Sequence, residues 1–547
     1  MGSIEVVLAM LLAVLASSYL TRAIPVSLPT PIVQIVLGGI IAGVFHQGVT
    51  LEPAVFFLLF LPPLLFLDGW QIPKDGLLRD KLPVLELAIG LVVFTVVGAG
   101  YVIHWLIPAM PMAVAFALAA IVSPTDPVAV SAITSRVPVP KRLMHILEGE
   151  SLLNDASGLV CFQFAVAAAM TGTFSLHAAA ASFAWVALVG LACGVLFTLG
   201  VSTAQQWFTR RFGEDGGSSI LVNLLIPFGA YLLAEEFKAS GILAAVAAGV
   251  TMSYVELTGR SMGTTRLARS AVWGTIQFAL NGIMFVLLGE QLPSIVRGAV
   301  ASVHASGQRG AWWLIVYALV ITILLAALRY AWVKITVRLH MLRHAPDETQ
   351  RYGTSWRLTM ATSLAGVRGA VTLAGVLTLP LALPGGAAFP ERDTVIFLAA
   401  IVILFSLIGA SIGLPILLKG LDLPGNSTRQ AEQDRARSAA AHAAVEAVRQ
   451  KQADLQKQAS ARDADVVADA ASRVIAIYQR RIHAGGEDAA GNATGLRAAD
   501  AAERSLRLAA LAAERTAVRN LVRGHRISDA TSRWLEREID MVEALYH

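Results

Sequence analysis

Five polar residues crowd into eight positions near the start of a long apolar stretch, between Glu148 and Asp155. If this stretch is helical, Ser151 and Asp155 share one face, and Glu150 and Asn154 share the face beside it. A carboxylate next to a hydroxyl and an amide oxygen suits a hard monovalent cation, which needs oxygen atoms in place of its hydration shell. The same carboxylate can hold a proton once the cation has left. We therefore predict a site at which Asp155 carries a cation and a proton in turn.

A second group of candidate residues lies in the run Ser123–Pro127, where two prolines flank a Thr–Asp pair. Because proline has no backbone N–H, we expect the helix to be broken here. Unwound backbone at membrane depth is tolerated only where it lines a cavity or is buried in protein. The freed carbonyl of Thr125 is then a candidate cation ligand. We assign Asp126 to compensating the dipole of the resulting half-helix rather than to carrying the ion.

Two further charged residues stand within or beside apolar runs. Arg368 lies between Gly366 and Gly369, and these glycines predict a second broken helix. A buried guanidinium requires a carboxylate partner, and we predict that Glu150 forms a structural ion pair with Arg368. Asp68, at the end of another apolar run, is either a gate or shared cation ligand, or an ordinary carboxylate at a helix end.

The elements that must position these residues are membrane-spanning helices. The chain has 547 residues, of which 56% are hydrophobic and 15% charged, whereas a soluble domain carries about 25% charged residues. Its Lys and Arg residues are scattered over short loops, which excludes a nucleic-acid partner and indicates a lipid environment. We predict an all-α polytopic membrane protein with thirteen spans, centred in residues 4–20, 31–46, 53–70, 83–107, 111–134, 145–171, 178–204, 217–235, 240–256, 270–291, 311–336, 357–380 and 393–419.

Membrane depth decides between two interpretations of Asp155. The alternative to ion binding is a polar pair with Ser151 that only hydrogen-bonds a neighbouring helix. A charged side chain in a membrane-spanning helix costs roughly 2.5 kcal/mol or more. We therefore favour ion binding.

The loops predict the orientation of the chain. With the N-terminus outside, the inner loops hold 16 of the Lys and Arg residues counted in loops, and the outer loops hold four. An odd number of spans then places the C-terminus in the cytoplasm. The predicted location is the cell (inner) membrane.

The composition changes after Leu421, which predicts a transmembrane domain over residues 1–421 and a cytoplasmic helical tail over 422–547. For the tail, a regulatory or dimerising domain and a solvated appendage both stay open, and no partner for it is predicted. Between residues 424 and 547 we find no phosphate-binding loop, metal-ligand cluster or nucleophile triad in the sequence. We therefore expect a transporter without a cofactor or a resident metal, and not an enzyme.

Four runs resemble, in order, the signature segments of the sodium/proton exchanger family, the branch that holds NhaP-type antiporters and animal and plant exchangers. They are Leu61–Gly69, Thr125–Val130, Gly149–Asp155 and Val367–Ala370. The resemblance implies a homodimer with a mobile core. It also implies two inverted six-helix repeats, spans 1–6 and 8–13, with span 7 as the link and broken helices in spans 5 and 12.

The resemblance also implies roles for single residues. Asp155 is similar to the family's cation- and proton-binding carboxylate, and Asn154 to the partner that fixes the site. Ser151, the Thr125 backbone and Asp68 resemble its auxiliary cation ligands. Glu150 and Arg368 resemble its buried ion pair.

These residues predict an antiporter that exchanges Na⁺ for H⁺ in pH and sodium homeostasis. Family members with two adjacent aspartates exchange more protons than cations, but Asn154 followed by Asp155 leaves one carboxylate, so we predict electroneutral exchange. A K⁺/H⁺ antiporter of the same architecture is the main alternative, and Li⁺ is a further candidate ion. A membrane sensor with the tail as its output is less favoured. A channel would need a continuous polar lining, which the sequence lacks.

Overall fold

A computed structural model describes residues 2–23, 29–45, 53–71, 86–126, 130, 141–172, 176–213, 215–256, 263–306, 310, 312–343, 356–383, 386–419, 426–458, 461–484, 493–523, 535, 538–540 and 542–543. Several sequence predictions fall outside these residues. They concern Pro127–Ala129 of one motif, the domain boundary at 421–422, and the loop residues Lys74, Arg79, Lys81, Arg136, Arg260, Arg309 and Arg351.

Contacts divide the chain into two units, Met1–Leu421 and Asp422–His547. The helices of the first unit are α1 (Gly2–Ala23), α2 (Thr30–Phe45), α3 (Pro53–Gln71), α4 (Val92–Leu106), α5 (Met112–Ile121), α6 (Lys141–Thr171), α7 (Leu176–Phe212), α8 (Gly216–Glu236), α9 (Gly241–Glu256), α10 (Gly263–Ser306), α11 (Trp312–Arg343), α12 (Trp356–Leu364), α13 (Ala370–Leu377) and α14 (Arg392–Leu418). A π-helical turn, Glu86–Leu91, leads into α4. Among the described residues there is no strand, only an isolated bridge between Ala382 and Ala388. The predicted all-α class is confirmed.

Long apolar runs explain most of these helices, because a helix satisfies every backbone polar group within itself in lipid. Seven of the described helices contain a stretch long and apolar enough to cross a membrane by length and composition: Glu5–Ala23, Ile89–Leu106, Ala184–Phe212, Gly216–Glu236, Thr265–Ser302, Trp312–Thr336 and Arg392–Leu418. In Ala184–Phe212 only 22% of the most apolar window is buried, so most of its apolar surface is exposed at the outside of this unit. Every predicted span overlaps a described helix, and the number of spans stays a prediction.

The helices of this unit pack as two groups. We call α4–α6 and α11–α14 the core helices, because they pack mainly on one another; α1–α3 and α7–α10 are the scaffold helices. Glycines bring scaffold helices into backbone contact. A Cβ at Gly249 would overlap the backbone of α3 at Phe66, and a Cβ at Gly69 would overlap α9 at Val246. The helix that carries Asp68 is therefore held tightly on α9.

The second unit contains α15 (Asn426–Gln458), α16 (Ala461–Ala484) and α17 (Ala493–Arg523). Within it α15 packs against α16. A small apolar cluster joins Leu511 and Val518 of α17 to Ile539. Beside this cluster Arg515 forms an ion pair with Asp540, with 2.5 Å between the nitrogen and the oxygen. The tail is thus helical, as its composition predicts.

Candidate functional site

Both predicted helix breaks are present in the core helices. α5 ends at Ile121, and residues 124–126 have no helical structure. On the other side of the site, residues 366–369 separate α12 from α13. Proline at position 124 and glycines at 366 and 369 account for the breaks, since proline lacks a donor and glycine favours unwound backbone.

The two breaks touch each other directly. The backbone N–H of Asp126 donates to the carbonyl of Val367 at 2.7 Å. A Cβ at Gly369 would overlap the Asp126 carboxylate, so only glycine fits there. Gly369 is the N-cap of α13, and the Asp126 carboxylate therefore lies beside the positive end of that short helix. This position supports the predicted dipole compensation by Asp126, which stays a prediction.

The polar face of helix α6 is hydrogen-bonded to the first break. The Ser151 hydroxyl donates to the Thr125 carbonyl at 2.8 Å, and the Asn154 amide donates to the Thr125 hydroxyl at 2.9 Å. The Thr125 hydroxyl in turn donates to Glu150 at 3.4 Å. Asn154 Oδ1 is buried without a hydrogen-bond partner among the described residues. An unsatisfied buried oxygen is costly unless a ligand or water meets it.

A cavity of about 40 Å³ opens between the core and scaffold helices at this point. Its polar lining consists of Asp68 from α3, Thr125 and Asp126 from the first break, Ser151 and Asp155 from α6, Asn281 from α10, and Thr372 from α13. One water molecule needs roughly 10–15 Å³ of such space, so the cavity has room for a monovalent cation together with a few water molecules. The Asp155 side chain is only 7% exposed. The arrangement gathers carboxylate, hydroxyl and carbonyl oxygens around a very small volume.

The structure thus brings together most of the predicted site residues. Asp155, Ser151, Thr125 and Asp126 line the cavity from the core helices, and Asp68 lines it from a scaffold helix. This position supports the interpretation of Asp68 as a gate or shared cation ligand, which stays a prediction beside the alternative of an ordinary carboxylate at a helix end. Asn154 and Glu150 lie one layer behind, through their bonds to Thr125.

The predicted Glu150–Arg368 ion pair is wrong in its cation. Glu150 is held by both terminal nitrogens of Arg329, and Arg329 Nη2 lies 2.6 Å from Glu150 Oε2. The Arg329 Nε also donates to the Thr362 carbonyl at 3.0 Å. Arg329 and Glu150 are 2% and 1% exposed, so the pair is fully buried. A forked, bidentate contact of this kind is the strongest geometry available to a carboxylate.

Arg368 instead bonds to backbone in the breaks. Its Nε donates to the Val122 carbonyl at 2.9 Å, and its Nη1 donates to the Gly366 carbonyl. These two carbonyls lie one and two residues past the C-terminal ends of α5 and α12, where helices carry partial negative charge and unsatisfied acceptors. Broken helices therefore supply Arg368 with acceptors that an intact helix would not.

Sequence reasoning missed Arg329, although a signal existed. Arg329 lies within the apolar run Trp312–Thr336, where the one other charged residue is Lys334 near the end of the run, and Arg368 likewise lies in an apolar stretch. The cost of an unpaired charge in a span applies equally to both. Asn281 has a weaker signal, a lone amide in an apolar helix, and it lines the cavity.

Comparisons with known proteins agree with this geometry. Residues 7–420 match the family of sodium/hydrogen exchangers, in its transmembrane region. The uncharacterised Na(+)/H(+) exchanger YjcE of Escherichia coli (strain K12) is 38% identical over 544 residues, covering 98% of each chain. The sodium, potassium, lithium and rubidium/H(+) antiporter of Bacillus subtilis (strain 168) is 45% identical over 416 residues. That match covers 75% of this chain and 61% of the relative.

A solved structure shows the same fold. The sodium proton antiporter MjNhaP1 from Methanocaldococcus jannaschii superimposes with a TM-score of 0.56 at 17% sequence identity. The match covers 76% of this chain and 99% of the solved one.

Proposed function

The chain belongs to the sodium/hydrogen exchanger family, and we propose that it exchanges one Na⁺ for one H⁺ across the cell membrane. As a member of this family it is a multi-pass membrane transporter, a monovalent cation/proton antiporter. The observation that carries the proposal is the position of Asp155: a buried carboxylate that lines a small, oxygen-rich cavity between core and scaffold helices. The physiological role we propose is pH and sodium homeostasis.

Coupling follows from the cost of moving a bare charge. If Asp155 were ionised and empty, carrying it past the apolar side chains of the scaffold helices would be prohibitive. A proton or a cation neutralises it, and only then do the core helices move. Because one carboxylate cannot hold both, each ion travels only in the direction opposite to the other.

Neighbouring oxygens complete the site for a cation. The Ser151 proton is engaged by the Thr125 carbonyl, so the lone pairs of the Ser151 oxygen remain available as ligands. The Thr125 carbonyl keeps a second lone pair, and we propose Asp68 as a further ligand from α3. Asn154 fixes Thr125 through its amide, and its Oδ1, which has no hydrogen-bond partner among the described residues, is a candidate ligand. No permanent cofactor or metal enters this scheme.

Electroneutrality rests on a single titrating carboxylate. Asn154, next to Asp155, carries no charge and is held by Thr125. We propose that Asp126, beside the N-terminus of α13, compensates the dipole of that helix and does not take part in the exchange.

Transport in proteoliposomes is expected to be insensitive to membrane potential. One net charge crossing 100 mV changes the free energy of transport by about 2.3 kcal/mol, which corresponds to roughly a fiftyfold change in the equilibrium ion ratio. We expect less than about a twofold change in Na⁺/H⁺ exchange between 0 and 100 mV of either sign, measured with a pH-sensitive dye. Asn154→Asp is the matched variant, since a second carboxylate would add a second proton and with it a voltage dependence. A potential that drives Na⁺ flux in the unchanged protein would contradict one-for-one exchange.

A K⁺/H⁺ antiporter remains the second candidate, and one observation favours it. The Bacillus subtilis relative is named for potassium, lithium and rubidium as well as sodium. The cavity lining consists of oxygens that can coordinate any of these ions, and selectivity depends on their number and spacing. Competition of each cation against Na⁺-driven proton movement distinguishes the two.

For the assembly, we propose a homodimer with the N-terminus outside and the tail in the cytoplasm. The family resemblance and the excess of basic residues in the inner loops support this arrangement.

A further inference from the structure

Helix α16 of the tail packs against α15, but part of its apolar surface remains exposed. Ala471, on one flank of this apolar surface, is buried. The other flank is open to solvent: Val466, Val474 and Ile477 are 65%, 40% and 48% exposed. Ala470, also exposed, lies between them. At 100° per residue these four positions fall within about 80° of one another, and we call them the α16 stripe.

The two halves of α16 differ in net charge. The first half holds Asp at positions 463, 465 and 469 and one Arg at 462, whereas the second half holds Arg at 473, 480 and 481 and no acidic residue. Positions 463 and 481 are separated by 18 residues, or five full turns, so both fall on the face of the stripe, one beyond each end. The apolar stripe is thus flanked along the helix by an acidic residue before it and a basic residue after it.

We propose that the α16 stripe binds the same stripe of a second copy of this chain, with the two helices antiparallel. A two-fold axis beside position 472 sets position 463 of one copy opposite position 481 of the other. The symmetry produces this contact at both ends of the helix pair. The same axis sets Ala470 opposite Val474 of the second copy, so apolar residues meet apolar ones. A parallel pair would set Asp against Asp and Arg against Arg, which is unfavourable.

The charge pattern favours a second copy over an anionic membrane surface as the occupant. An amphipathic helix that lies on such a surface is rich in Lys and Arg along its polar face, whereas the first half of α16 is acidic. The stripe is short, and alone it would support only weak association. If two transmembrane units already hold two tails together, pairing becomes intramolecular and a weak contact suffices.

Disulfide formation between full-length copies tests the antiparallel arrangement. Two differently tagged copies, each with Cys161 and Cys193 replaced by Ala, are co-expressed and oxidised mildly in membranes. Val466→Cys on one copy is expected to cross-link to Ile477→Cys on the other. Two copies of Val466→Cys are not expected to cross-link, because the antiparallel helices place these residues about 18 Å apart along their axes. A disulfide requires the two Cα atoms to be within about 7 Å.

A charge swap tests the end contacts. Arg481→Asp sets like charges opposite each other at both ends and is expected to lower the 466–477 yield roughly three- to tenfold. The double variant Asp463→Arg with Arg481→Asp restores opposite charges and is expected to restore the yield. Asp465→Arg, which lies on the other side of the helix, is the matched control and should change little.

Three outcomes would overturn the proposal. One is a 466–466 product as strong as the 466–477 product, which would indicate parallel helices. Another is the absence of the 466–477 product in membranes where the tagged copies co-purify, which would show that the tail of the same chain or the lipid surface covers the stripe. A third is failure of the charge swap to restore the yield lost in Arg481→Asp.

Discussion

Replacing Asp155 with Asn is expected to abolish Na⁺-driven proton movement in everted membrane vesicles, by at least about a hundredfold. The amide keeps the shape of the side chain but can neither bind a proton nor neutralise a cation. The cavity would keep the hydroxyl of Ser151 and the carbonyl of Thr125, yet no group would remain to couple the two ions. Fluorescence quenching of a pH-sensitive dye after addition of NaCl measures the effect.

Asp393→Asn serves as the matched control for this variant. Asp393 is an acidic residue in the first turn of α14, 47% exposed and outside the cavity lining. The same chemical change there should leave exchange within about twofold of the unchanged protein, since surface substitutions are usually mild. Cation-driven proton movement that persists in the Asp155→Asn protein would refute the assignment of the carrier.

Replacing Arg329 with Met is expected to cost about 3–5 kcal/mol of stability, enough to remove most of the folded protein. Glu150 would be left buried and charged, and among the described residues its remaining donor would be the distant Thr125 hydroxyl at 3.4 Å. Thermal unfolding of the purified protein in detergent measures the change.

Two variants distinguish the effect of breaking the Glu150–Arg329 ion pair from the effect of removing any positive charge from this helix. Lys334→Met removes a positive charge from the same helix, but Lys334 is exposed and lies over the Tyr330 ring, so little effect is expected. In the double variant Glu150→Gln with Arg329→Met no charge is stranded, and we expect much of the stability to return. An Arg329→Met protein that melts at the temperature of the unchanged protein would show that the pair contributes nothing.

Local features of the sequence predicted the helix breaks and the cluster of oxygens. Prolines and glycines determine where a helix ends, and a four-residue spacing determines which side chains share a face. Ser151, Asp155 and Thr125 therefore fall where the motifs place them. Their contact across the break is also foreseeable, because unwound backbone must find polar partners.

Contacts between distant helices could not be predicted in the same way. Glu150 and Arg329 are 179 positions apart, and the sequence shows that each needs a partner without showing which. The sequence analysis paired Glu150 with Arg368. Arg368 instead uses backbone carbonyls as acceptors, and because every residue has one, the sequence cannot show which carbonyls these are. Likewise the role of α3 and α10 in closing the cavity depends on how the helices pack. Packing of this kind follows from shape and not from polarity.

Proton release on cation binding tests most directly whether Asp155 holds one ion at a time. Purified protein in weakly buffered detergent solution is titrated with NaCl over a series of pH values, and the released protons are measured against bound Na⁺. We expect the release to approach one proton per bound Na⁺ toward acidic pH and to vanish in Asp155→Asn. Binding of Na⁺ without proton release at any pH, or unchanged release in that variant, would contradict a shared site.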